Sequence, residues 1–117
     1  DGDMVTIMAG LACGEPNTIS WDILKNHVDT FVSTPDWVAA KGMRMLAAPI
    51  KGDQPVTSGE SGAAPFGTLA CIMTMEEYRP LREHLELNEN SRVLLFSTEG
   101  DTDPQRYESI VWDGNDR

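Results

Sequence analysis

The block Val93-Leu94-Leu95-Phe96-Ser97-Thr98-Glu99-Gly100-Asp101-Thr102-Asp103-Pro104 constrains this chain more than any other. Its four consecutive apolar residues end abruptly in hydroxyls, acids and a glycine. An apolar run this short, bounded by turn chemistry, predicts a buried strand over Arg92–Phe96. Pro104 lacks an N–H and would clash with the preceding turn inside a helix. At the first helical turn neither defect matters, so a helix is predicted to start near Asp103 or Pro104. Strand, polar loop and helix in that order make half of an α/β unit. In open α/β sheets ligands sit outside the carboxyl ends of the strands, which puts Ser97 and Thr98 where a ligand is expected.

The same alternation recurs upstream. Met4 to Met8 is a short apolar segment closed by Ala9-Gly10, and the loop from Leu11 to Asn17 carries its own breakers, Gly14 and Pro16. Ser20 is placed to cap a helix over Trp21–His27, with Asp22 in its first turn where the macrodipole favours an acid. Asp29–Ser33 is β-prone. Thr34 or Asp36 can cap a helix over Trp37–Ala47, with Val38 and Met45 on one side and Pro49 and Gly52 stopping it. Pro55 to Gly62 is a turn of small residues around one acid, Glu60. Ala63–Met73 is apolar almost throughout and predicts a buried helix with Pro65 in its first turn. Thr74-Met75-Glu76-Glu77 has the capping-box pattern for a surface helix to about Leu87, although Pro80 fits only if the helix starts there. Asp103–Val111 is the last helix, and the tail from Trp112 is expected to fray.

Strand–helix alternation predicts an α/β fold: part of an open, mainly parallel sheet with flanking helices, residues 1–117 forming a single segment. Three strands are fewer than the roughly 5–6 of an ordinary sheet. The chain also opens without a methionine, almost directly in an apolar segment. Both features lead us to expect a piece of a longer catalytic domain.

With 19 acidic against 9 basic residues the net charge is −10. That removes the basic footprint needed for nucleic acid and the attraction to anionic membranes. No apolar run approaches the roughly 18–20 residues of a membrane helix. Two residues, Cys13 and Cys71, leave a disulfide open, but buried, reduced thiols in a cytoplasmic protein are the expectation. His27 and His84 are isolated, with no ligand spacing around either, so no metal site is expected. Asp101-Thr102-Asp103 lacks the glycine and distal glutamate of a calcium loop, which leaves helix capping. Ser61 lacks the spacing of a hydrolase nucleophile and fits a hydroxyl at a turn or helix start. Gly59-Glu60-Ser61-Gly62 could present amides ahead of a helix, but Glu60 would repel a phosphate and suits a cationic group or a donor instead.

Three blocks in fixed order then acquire meaning together: Thr6-Ile7-Met8-Ala9-Gly10-Leu11-Ala12-Cys13-Gly14-Glu15-Pro16, Ser58-Gly59-Glu60-Ser61-Gly62-Ala63, and Ser97 to Pro104 followed by Tyr107 and Ile110-Val111-Trp112. The set resembles the closing part of the ammonia-lyases in the threonine-dehydratase-like, fold-type II group of pyridoxal-phosphate enzymes. The resemblance runs over essentially the whole chain. It implies pyridoxal 5′-phosphate as cofactor and α,β-elimination of a small amino acid, 2,3-diaminopropionate, to pyruvate and ammonia. It further implies a homo-oligomer, a dimer, of the intact enzyme. By the same resemblance Ser97, with Thr98 one residue away, meets the cofactor's pyridine nitrogen, and Glu60 lies near the cofactor. The group's Schiff-base lysine and glycine-rich phosphate loop have no counterpart here; Lys25, Lys41 and Lys51 fall on helices or in a polar turn. Two rivals stand beside this reading. One is a threonine or serine dehydratase, or a threonine synthase-like enzyme. The other is an acidic α/β module that only binds.

Overall fold

A computed structural model of the chain describes residues 5–11 and 13–117. Met4, where the first apolar segment was expected to begin, and Ala12 of the following loop lie outside them. Five α-helices follow in order: α1 (Thr18–His27), α2 (Asp36–Ala47), α3 (Glu60–Thr74), α4 (Arg79–His84) and α5 (Pro104–Val111), with 3-10 turns at Ala9–Leu11 and Glu76–Tyr78.

The centre is α2 against α3, and small residues explain why they approach so closely. Ala39, Ala40, Met43, Ala63 and Ala64 are buried between them. Gly42 and Gly67 allow backbone to touch backbone: a Cβ on Gly67 would lie 2.1 Å from the Val38 carbonyl oxygen, and one on Gly42 2.5 Å from that of Ala63. Helix α5 adds Ile110 to the cluster of Ala40, Met43 and Ala63. Arg44 fastens the end of α5 by donating from Nε to the Ile110 carbonyl at 3.1 Å and from Nη2 to that of Asn115 at 2.7 Å. Burial, and secondarily Arg117, lower the Arg44 pKa from its usual value, with Asp116 opposing them. The N-terminal segment packs Ile7 and Met8 on Ala39 and Ala64. It is held by Asp36, whose carboxylate accepts from the Thr6 hydroxyl and the Ile7 N–H. At the far end of α3, Arg82 donates to the carbonyls of Ile72 and Met73 at 2.8 and 2.9 Å, groups a helix end leaves unpaired.

Several boundaries move for physical reasons. Asn17, not Ser20, caps α1, accepting from the Ser20 N–H at 2.9 Å. Asp36 opens α2 without capping it, because its carboxylate is engaged by Thr6 and Ile7. Helix α3 begins three residues before the expected Ala63, which leaves Pro65 inside the helix. The Thr74 capping box does not form; Thr74 Oγ1 donates back to the Ala70 carbonyl, and Pro80 enters the first turn of the short α4. At α5 the expected cap holds: the Asp103 carboxylate accepts from the Arg106 N–H at 3.1 Å.

The larger correction concerns the sheet. Among the described residues there is no strand, and roughly half the chain is helical. The expected open parallel sheet is therefore not the architecture of this chain. The segments 29–33 and 92–96 are non-helical, as their composition demands, but a strand exists only when a neighbour completes its hydrogen-bond ladder. Nor is the second segment buried, with Val93, Leu94 and Phe96 respectively 46, 79 and 73% exposed. Cys71 is buried as expected; Cys13 is exposed.

Helix α1 buries none of its residues and packs on no other helix, while Ile19, Trp21, Ile23 and Leu24 face solvent. The accessible surface is 8737 Å². A folded monomer of this mass shows about 6300 Å². The described residues thus form a slab, 39 × 37 × 24 Å, with apolar faces left open. None of its helices is long and apolar enough to cross a membrane.

Candidate functional site

The loop after Phe96 folds back over the start of α3, and Glu99 holds it there. The Gly59 N–H donates to the Glu99 carbonyl at 2.8 Å, and the Ser61 N–H donates to Glu99 Oε1 at 3.1 Å. The first N–H groups of a helix have no partner within it, and the helix dipole favours negative charge at that end. Glu99 therefore acts as a cap supplied from a distant loop. Gly59 admits the approach, since a Cβ there would stand 2.2 Å from Glu99 Oε1 and 2.5 Å from the Gly100 carbonyl oxygen.

This fold-back brings two hydroxyls together. Ser58 is wholly buried, and its Oγ lies 2.7 Å from Ser97 Oγ. The Gly59 carbonyl is a second, longer acceptor for Ser58 at 3.2 Å. Gly62 closes the pair: a Cβ on it would meet Ser97 Oγ at 2.6 Å and Ser58 Oγ at 2.7 Å. Ser97 itself is exposed. The result is a surface hydroxyl backed by a buried one, at the N-terminal end of a well-packed helix.

Thr98 is exposed, and neither it nor Glu60 hydrogen-bonds to Ser97 among the described residues. Glu60, half-buried, lines a neighbouring cleft of about 300 Å³ with Glu99, Asp103, Arg106 and Gly10. Three carboxylates against one guanidinium make that cleft hospitable to a cation. Ser61 Oγ is buried with no partner among the described residues. Among those residues, no three His, Cys, Asp or Glu side chains converge as a metal site would require. His27 and His84 both lie in the last turn of a helix, α1 and α4. Sequence reasoning placed Ser97 at a ligand position but missed Ser58 and Glu99, whose partners lie 39 and 38 residues away. The only local signal for Ser58 was its place before the glycine of the second block.

No family model matches the chain. It is nonetheless similar over 97% of its length to named proteins. Diaminopropionate ammonia-lyase of Salmonella typhimurium is 55% identical over 114 residues, and that of Escherichia coli K12 is 51% identical over 113. The chain spans 28% of the length of each. Among solved structures, the Escherichia coli enzyme in complex with an aminoacrylate-PLP azomethine reaction intermediate superimposes with a TM-score of 0.90 at 50% identity, covering 95% of this chain and 29% of that one. The same enzyme in complex with D-serine gives a TM-score of 0.89 at 49% identity, covering 98% of this chain and 30% of that one. The resemblance carried by the three sequence blocks is thus matched along the chain by the diaminopropionate ammonia-lyases.

Proposed function

We propose that this chain supplies the cofactor-facing C-terminal wall of a pyridoxal-phosphate-dependent diaminopropionate ammonia-lyase, in which the Ser97 hydroxyl binds the pyridine nitrogen. The observation that carries the reading is the Ser97–Ser58 pair: an exposed hydroxyl, oriented by a buried one at 2.7 Å, in a loop locked to α3. The donor set fits a pyridine nitrogen, which needs one directional hydrogen bond and no more. When bound, the cofactor supplies the electron sink that allows an α-proton and a β-amino group to leave the substrate.

The chain's own residues divide the remaining work. Ser97 would anchor the ring at its nitrogen through one hydrogen bond. A hydroxyl there, unlike a carboxylate, does not hold a proton on the nitrogen, which favours elimination over transamination. Thr98 is the alternative hydroxyl of the same loop. Glu60, in the acidic cleft, suits the ammonium groups of a diamino acid. None of the three lysines is placed to bind the cofactor's aldehyde: Lys25 is paired with Asp22 at 3.0 Å, Lys41 lies on α2 and Lys51 occupies an exposed turn. The covalent lysine and the phosphate loop are accordingly assigned to residues beyond this segment. The exposed Cys13 thiol suits a reducing, cytoplasmic setting. The open apolar faces suit assembly of the intact enzyme as a dimer.

The test is Ser97→Ala in the full-length enzyme. Loss of one hydrogen bond to the ring should weaken pyridoxal-phosphate affinity about tenfold and slow pyruvate release from 2,3-diaminopropionate, with the fold unchanged. Unaltered affinity and rate would remove Ser97 from the site. Faster ketoacid release from serine or threonine than from 2,3-diaminopropionate would move the assignment to a dehydratase.

A further inference from the structure

We propose that Ser58 is the residue that decides which way the Ser97 hydroxyl points its proton. This rests on the reading of Ser97 as the ring-nitrogen contact and goes one shell deeper. Ser58 Oγ is wholly buried and has two acceptors within reach, Ser97 Oγ at 2.7 Å and the Gly59 carbonyl at 3.2 Å. That carbonyl already accepts the Ala63 N–H at 3.0 Å, the first intrahelical bond of α3. The 2.7 Å separation is the preferred O–H···O distance, and 3.2 Å is beyond it. Across the 2.7 Å contact either oxygen can be the donor; we assign that role to Ser58, whose other acceptor is longer and already engaged by the Ala63 N–H.

A hydroxyl has one proton to give. Once Ser97 accepts from Ser58, its own proton is free to point outward, and Ser97 becomes a donor to whatever lies beyond the loop. A donor matches an unprotonated pyridine nitrogen and opposes a protonated one. With the opposite polarity Ser97 would spend its proton on Ser58 and could only accept from a pyridinium. Gly62 keeps the arrangement closed, because a side chain there would wedge between the two oxygens. Ser58 is thus a positioning residue that acts through Ser97.

The experiment compares the full-length enzyme with Ser58→Ala, Ser97→Ala and the double variant. It measures equilibrium pyridoxal-phosphate affinity and the pH dependence of the cofactor's visible absorption band. Ser58→Ala should weaken affinity about three- to tenfold and shift the band's pH profile in the same sense as Ser97→Ala. The double variant should be no weaker than Ser97→Ala alone, since the two hydroxyls act in series. Ser58→Cys, close in shape but a poor donor, should reproduce the shift and serves if the alanine variant folds poorly. Should Ser97→Ala change both readouts while Ser58→Ala and Ser58→Cys change neither, the relay is wrong and the ring contact survives. Fully additive losses would likewise overturn the relay. If Ser97→Ala changes nothing, the ring-nitrogen reading fails and the relay with it.

Discussion

Glu99 contributes twice to one helix start, through its carbonyl to Gly59 and its carboxylate to Ser61. Replacing it with alanine removes the side-chain cap and should lower stability by about 1 kcal/mol, read by denaturant unfolding. Glu99→Gln keeps an acceptor and should recover most of that. Equal losses in both would mean that charge at the helix end, not the hydrogen bond, is what counts. Residue-scale legibility was uneven for a physical reason. Ser97 stands out locally as the hydroxyl that ends an apolar run, although that run is largely exposed coil and not the buried strand expected. Ser58 and Glu99 were invisible because their roles come from partners 39 and 38 positions away, and nothing in a local window encodes that.

Between elements, the α2–α3 contact sets two rules against each other. Helix propensity alone says that Gly67→Ala should stabilise α3 by about 1 kcal/mol. The geometry says the reverse, since the new Cβ would lie 2.1 Å from the Val38 carbonyl oxygen, a backbone atom that cannot swing away. Overpacking should win, with a net loss of about 1–3 kcal/mol in thermal or denaturant unfolding. A stabilised Gly67→Ala variant would show that the helices are not in backbone contact. Asp36→Ala should cost a similar amount, because it releases both the Thr6 hydroxyl and the part-buried Ile7 N–H. The helices themselves were legible: α2, α3 and α5 were each anticipated with ends within three residues. Their starts shifted where a distant carboxylate or an engaged side chain replaced the local cap. The sheet was not legible. Composition over 92–96 specifies a non-helical, β-prone chain, but pairing depends on a neighbour that a single segment's sequence does not describe.

For the whole molecule, the surface area is the informative quantity. The chain exposes 8737 Å² against the roughly 6300 Å² of a monomer of this mass, an excess on the scale of a permanent interface. Helix α1, with Ile19, Trp21, Ile23 and Leu24 outward, is part of that excess. In isolation the 117-residue chain should self-associate, and light scattering at rising concentration checks this. A monodisperse monomer at high concentration would mean that its open faces need no cover. The proposed role is that of one wall of a pyridoxal-phosphate site, with Ser97 at the ring. Its most direct test is an experimental structure of the full-length protein with pyridoxal phosphate bound. Ser97 Oγ should lie within about 3 Å of the pyridine nitrogen, with Ser58 Oγ still behind it. A ring nitrogen facing a carboxylate, or a cofactor lying away from the loop at Ser97, would contradict it.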